Sequence, residues 1–276
     1  MTGSPSPAER DFRPPGQAFE RAAILYDMER IALAEEEVRM SLSEDPESAR
    51  AHALLALCLA RQRKSAEADR EVAEAMGRAP DDATVHYTRS QVLVLTGRLP
   101  EAEVAIFEAL RLDPKDPDLY LYRSAIHLDL GRPAEALAAA EIGLKLDARH
   151  LGCMNLRSWS LHRLSRNDEA DGATQEALSL APEHGLTHRL RGHVLLDTGR
   201  PAEALEHFLQ ASRINPADGV SRDGVIRSLK ARLPVLGTGL QWAWRFLGLP
   251  PVILGVLLSG LFLATGLSLG AKDPEA

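Results

Sequence analysis

The residues of this chain that could do chemistry are few and poorly placed for it. Nine histidines stand among 276 residues, and His184, His188 and His193 come nearest to a cluster. Gly185 and a turn separate the first from the helix that carries the other two. Positions 188 and 193 lie about 500° apart around that helix, so they do not share a face and do not form a metal set. His127 occupies a slot filled elsewhere by Leu, which predicts a buried histidine with its hydrogen bonds met. Cys58 and Cys153 belong to no CxxC pair and read as free thiols. There is no nucleophile–base pair, Gly-rich phosphate loop or HExxH motif. The sequence therefore predicts a protein that is not an enzyme, with no metal, cofactor or small-molecule substrate.

The elements that position these residues follow from a strict period. Alanine recurs every 34 residues at Ala34, Ala68, Ala102, Ala136, Ala170 and Ala204. A helix stop recurs in step at Pro46, Pro80, Pro114, Pro182 and Pro216, with Ala148 in the one gap. A turn signal stands between, at Gly97-Arg98, Gly131-Arg132, Ser165-Arg166 and Gly199-Arg200, while Glu29-Arg30 replaces it in the first unit. Small residues mark a tight helix crossing at Ala22, Ala56, Ser90, Ser124, Ser158 and Gly192. Larger apolar side chains, among them Leu59, Leu93, Leu161, Leu195, Val38, Val72, Ile106 and Phe208, are expected to fill the space between paired helices. Each unit is thus two helices joined by a tight turn.

Charge limits the partners. The formal net charge is −7, and an acidic body is a poor match for nucleic-acid phosphates. Its exception is the stretch 220–247, where Arg222, Arg227, Lys230, Arg232 and Arg245 face only Asp223. Residues 1–14 are rich in Pro, Ser, Gly and charge, without the apolar core of a signal peptide, and read as a disordered lead.

The anchors together resemble the tetratricopeptide repeat family over about residues 15–218. The resemblance implies an all-α, right-handed superhelical solenoid of about six hairpins, at 15–48, 49–82, 83–116, 117–150, 151–184 and 185–218. Residues 219–232 then form a capping half-repeat, with Val225, Ile226 and Leu229 packing backwards. It also implies a ligand groove lined by the first helix of each repeat, at its second, fifth, ninth, twelfth and thirteenth positions. The fifth and ninth positions give Ala53 and Leu57, Tyr87 and Gln91, Leu121 and Ala125, Asn155 and Trp159, and Arg189 and His193. Together with His162, the candidate partner-binding residues are Tyr87, Gln91, Asn155, Trp159, Arg189 and His193. The expected patch of Trp159, Arg189 and His193 would suit a peptide with an acidic and an apolar residue. The Lys/Asn set by which some family members clamp a terminal carboxylate is absent. The arginines before the small crossing residues, Arg89, Arg123, Arg157 and Arg191, are either a ladder for acidic ligands or structural, and the structural role is the expectation.

Residues 246–271 carry no charge. A bilayer needs about 20 apolar residues in a helix, so 249–271 is expected to be a transmembrane helix, followed by a short tail at 272–276. The basic, aromatic segment 233–248, with Trp242 and Trp244, is placed to hold the repeats on the cytoplasmic side. This arrangement resembles bacterial membrane-associated tetratricopeptide proteins, a likeness that carries no assigned activity. The expected function is a tail-anchored scaffold that binds a peptide or protein partner and no nucleic acid. The alternative is a structural or regulatory subunit of a membrane complex assembled through that helix, or a cytoplasmic protein if the helix does not span.

Overall fold

A computed structural model describes residues 17–232. Thirteen α-helices and no strand occur among the described residues. They are α1 (Ala18–Asp27), α2 (Ile31–Glu44), α3 (Ala49–Arg61), α4 (Ser65–Arg78), α5 (Ala83–Leu95), α6 (Leu99–Leu112), α7 (Pro117–Asp129), α8 (Pro133–Leu146), α9 (Leu151–Arg163), α10 (Asn167–Leu180), α11 (Gly185–Asp197), α12 (Pro201–Ile214) and α13 (Gly219–Arg232). They divide into two compact units, the first ending at Pro182 and the second beginning at Glu183. The expected lead 1–14, juxtamembrane segment 233–248, membrane helix 249–271 and tail lie outside the described residues. Among those described, no helix is long and apolar enough to cross a membrane.

The first unit holds five helical hairpins, α1–α2 through α9–α10. From the second hairpin onward, a capping side chain starts the first helix. Ser48, Asp82 and Asp116 accept hydrogen bonds from backbone N–H groups of the first turn. His150 Nδ1 does the same for α9, satisfying one donor that the helix end would leave unpaired. Inside each hairpin the chain reverses through one residue in the left-handed region. Gly97 and Gly131 take it at φ 78° and 73°. Glu29, Arg63 and Ser165 take it without glycine, at φ 58°, 63° and 60°. The turn is sealed by one recurring bond: the N–H of Lys64, Arg98, Arg132 and Arg166 donates to the carbonyl of Leu59, Leu93, His127 and Leu161.

The period-34 alanines are where the helices of a hairpin touch. Ala34, Ala68, Ala102, Ala136 and Ala170 are fully buried. Facing them, Ser124 Oγ donates to the Ala136 carbonyl at 2.8 Å and Ser158 Oγ to the Ala170 carbonyl at 3.3 Å. Contact between a hydroxyl and the opposite backbone leaves no room for a longer side chain. Ala136→Leu is therefore expected to cost about 1–3 kcal/mol by overpacking. An unchanged urea midpoint for that variant would show the crossing to lie elsewhere.

The cation that follows the left-handed turn residue has a second task that its position in the turn did not disclose. Lys64 Nζ reaches Glu35 at 3.4 Å, Arg98 pairs with Asp69 and Arg132 Nη1 lies 3.0 Å from Glu103. Each tie joins one hairpin's turn to the second helix of the hairpin before it. The series stops at Arg166, because the matching position is Leu137, which is buried. Arg166 folds onto Glu169 at 2.7 Å instead.

Among its described residues the second unit contains the hairpin α11–α12, with Gly199 at φ 76° in its turn, and the helix α13. Its core is built around Phe208, which is fully buried with Leu195 and Ala204. A Cβ added at Gly192 would sit 2.9 Å from the Phe208 ring, and one at Gly224 would overlap it. The inward face of α13 consists of Ser221, Gly224 and Ser228, with Val225 against the core. The expected cap of Val225, Ile226 and Leu229 is thus corrected for two of its members: Ile226 and Leu229 are exposed. The bulk of Phe208 explains the rotation, because only a small-residue face can approach that ring.

Candidate functional site

The first helices of the first unit bring their C-terminal ends together. Tyr26 closes α1, Arg61 closes α3, Val94 and Leu95 close α5, and Asp129 closes α7. With Tyr122 and Ile126 these line a cavity of about 240 Å³. Leu95 is 41% exposed there, an apolar side chain turned toward solvent on a recessed wall. Arg61 lies over the Tyr26 ring, 5.5 Å from its centroid, and its Nε donates to the Tyr26 hydroxyl at 3.3 Å. Burial raises the Tyr26 pKa above its ordinary value, with Arg61 opposing.

A second recess of about 320 Å³ lies at the opposite ends of α5 and α7, lined by Thr84, Tyr87, Tyr122 and the carboxylates Asp113, Asp116 and Asp118. Tyr122 lines both recesses. Its ring meets Tyr87 edge-on, with centroids 4.5 Å apart, and Gln91 Nε2 donates to the Tyr87 hydroxyl at 2.8 Å. Burial and the hydrogen bond with Tyr122 both raise the Tyr87 pKa, so its hydroxyl stays neutral. Asp118 is engaged by His150 Nε2 at 3.0 Å. Asp113, Asp116 and Asp129 have no ion pair among the described residues.

Of the partner-binding residues expected from sequence, Tyr87 and Gln91 are therefore brought together in this groove. Asn155, Trp159 and His162 share α9. Asn155 is buried, at 2% exposure, while the Trp159 and His162 rings meet tilted by 36°, with centroids 5.1 Å apart. Arg189 and His193 belong to the second unit. There Arg189 Nη1 pairs with Asp218 at 2.9 Å, and His193 sets its ring edge against Phe208 at 5.0 Å. Tyr26, Arg61, Tyr122 and Asp129 were not singled out from sequence. Three of them could have been: Tyr26 is a twelfth position, and Arg61 and Asp129 are thirteenth positions.

The remaining candidates have local roles. Arg157 pairs with Glu176, and Arg123 Nε donates to His127 Nε2 at 3.4 Å, whereas Arg89 has no ion pair among the described residues. Arg191 is half-buried in the second unit. His127 is buried as expected, but only one ring nitrogen is satisfied, since Nδ1 is 3.6 Å from Glu103. Burial lowers its pKa, against the pull of Glu103. His184 caps α11, and His188 Nδ1 lies 2.9 Å from His207 Nδ1. Cys58 and Cys153 are free and buried, and burial pushes both thiols up to about 12.

The tetratricopeptide repeat family matches residues 19–83, 61–117 and 155–219, and a second tetratricopeptide repeat profile matches 117–141. The chain belongs to the tetratricopeptide repeat family, and its fold is an all-α solenoid of these hairpins. Among solved structures it is similar to the crystal structure of the APC/C hetero-tetramer Cut9-Hcn1, at 16% identity over 77% of this chain and 42% of that one, with a TM-score of 0.65. It is similar to pilF of Pseudomonas aeruginosa, at 20% identity, 75% and 94% coverage and a TM-score of 0.59. It is also similar to PilW, a type IV pilus biogenesis factor, at 16% identity, 75% and 96% coverage and a TM-score of 0.63. The chain spans less than half the length of the Cut9-Hcn1 chain it matches. At these identities the likeness is one of fold. No curated protein matches the chain.

Proposed function

We propose that this chain is a non-catalytic scaffold that holds a peptide or protein segment in the groove formed by α1, α3, α5 and α7. The observation that carries this reading is Leu95, exposed on the wall of a recess shared with Tyr26, Val94, Tyr122 and Ile126. Apolar and aromatic side chains around a concavity, with a few polar groups among them, are what a recognition site offers. The half-buried Tyr87–Gln91 hydrogen bond holds the wall in one arrangement before any ligand arrives, which lowers the ordering cost of binding. One similar structure is itself a hetero-tetramer, in keeping with a role in protein assembly.

The reading includes a place for the scaffold: residues 249–271 anchor it, with the repeats at the cytoplasmic membrane surface. Support comes from the uncharged run and the cations before it. The groove is tested by placing a photocrosslinking amino acid at Leu95 and, separately, at Phe107, which is 57% exposed on α6. A discrete protein adduct is expected from position 95 and absent from position 107. Adducts from position 107 alone would move the binding surface to another face.

A further inference from the structure

We propose that the groove selects peptides that combine an aliphatic or aromatic side chain with a lysine or arginine; this rests on the scaffold reading above and specifies its ligand. The apolar component follows from the recess around Leu95. The cationic component follows from charge. The two recesses joined at Tyr122 are lined by Asp113, Asp116, Asp118 and Asp129 against the single cation Arg61. Arg61 is itself directed at the Tyr26 ring and hydroxyl, so it leaves Asp113, Asp116 and Asp129 unneutralised, while Asp118 meets His150.

Two of those carboxylates stand where a helix least favours them. Asp129 is the last residue of α7, and Asp113 is the C-cap of α6. Both lie at the partially negative end of a helix, where an anion is disfavoured and a cation is stabilised. Neither has an ion pair among the described residues. The C-terminal ends of α1, α3 and α5 face the recess of Asp129 and add their partial charges to its potential, whereas Asp116 and Asp118 stand at the N-terminal end of α7 in the other recess and act there through their own charge. A bound ammonium or guanidinium therefore gains from the carboxylate and the helix ends together in the recess of Asp129, where the low-dielectric wall focuses the field, and from the carboxylates in the other. An acidic ligand meets the same groups as repulsion.

The test uses the full chain in mild detergent, panned against a random peptide library displayed on phage. The enriched pool is expected to pair Leu, Ile or Phe with Lys or Arg. A fluorescein-labelled peptide from that pool is then titrated against two variants. In Asp113→Asn/Asp116→Asn/Asp129→Asn three charges are removed, while asparagine keeps the backbone hydrogen bonds that Asp113 and Asp116 accept, as it does well in turns and caps. Its affinity is expected to fall about tenfold, with a matching loss of salt dependence. Leu95→Asp is expected to remove binding, since it puts a charge on the apolar wall. Enrichment of acidic peptides that still need Leu95 would overturn the charge preference and leave the groove standing. Peptides indifferent to both variants, or no enrichment at all, would overturn the groove and with it the preference.

Discussion

Phe208→Ala is expected to destabilise the second unit by about 3–5 kcal/mol, the usual range for removing a buried aromatic side chain. No other fully buried side chain among those described is larger, and the unit that depends on it has three helices among the described residues. The cavity left behind has little means of closing. Gly192 and Gly224, which make room for the ring, have no side chains to fill the space, and Ser221 and Ser228 are too short. Urea unfolding followed by hydrogen exchange across residues 185–232 would read the loss. Gly224→Leu attacks the same contact by overpacking and should destabilise in the same region. If Phe208→Ala leaves the midpoint unchanged, the ring is not the centre of that core.

Gly260→Arg is expected to move a large share of the protein from the membrane pellet to the soluble fraction. A charge at the centre of a span costs about 2.5–3.5 kcal/mol on insertion scales, comparable to the margin by which a single apolar segment partitions. Position 260 lies near the middle of a run from 246 to 271 without any charged residue. Alkaline carbonate extraction separates the outcomes: wild-type protein is expected to stay with the membrane and the variant to be partly released. Wild-type protein that washes off would place the segment at a surface or within a protein core, and the anchor would be withdrawn.

The repeat architecture was legible because it rests on sterics that leave marks in sequence. A position where two helices touch accepts Ala and little else, so six alanines at one period betray six contacts. The turns were half legible. Gly97, Gly131 and Gly199 mark a left-handed residue directly, whereas Arg63 takes the same conformation without any compositional sign. The groove was legible as a set of positions but not as a site. Tyr26 and Tyr122 become neighbours of one cavity only when successive helices are stacked, and the sum of charge around that cavity depends on which carboxylates already have partners. Rotation of α13 was hidden for a similar reason. Its apolar residues suggest one inward face, but the bulk of Phe208 selects the face of Ser221, Gly224 and Ser228.

The ties from Lys64, Arg98 and Arg132 make the first unit a row of coupled elements with unequal coupling constants. In a linear array each element feels mainly its nearest neighbours, so the joint between the fourth and fifth hairpins, where Leu137 stands in place of an acid, is the one held by packing and the His150–Asp118 contact without a turn tie. Opening the joint between the fourth and fifth hairpins breaks no turn tie, while opening any earlier joint of the first unit must break one. Salt weakens exposed ion pairs and should flatten that contrast. Native-state hydrogen exchange is expected to show α9 and α10 opening separately at low salt and the distinction fading at high salt. Equal protection on both sides of Arg166 at low salt would mean that the coupling is carried by packing alone, and that the array behaves as one element rather than as a chain with a loose link.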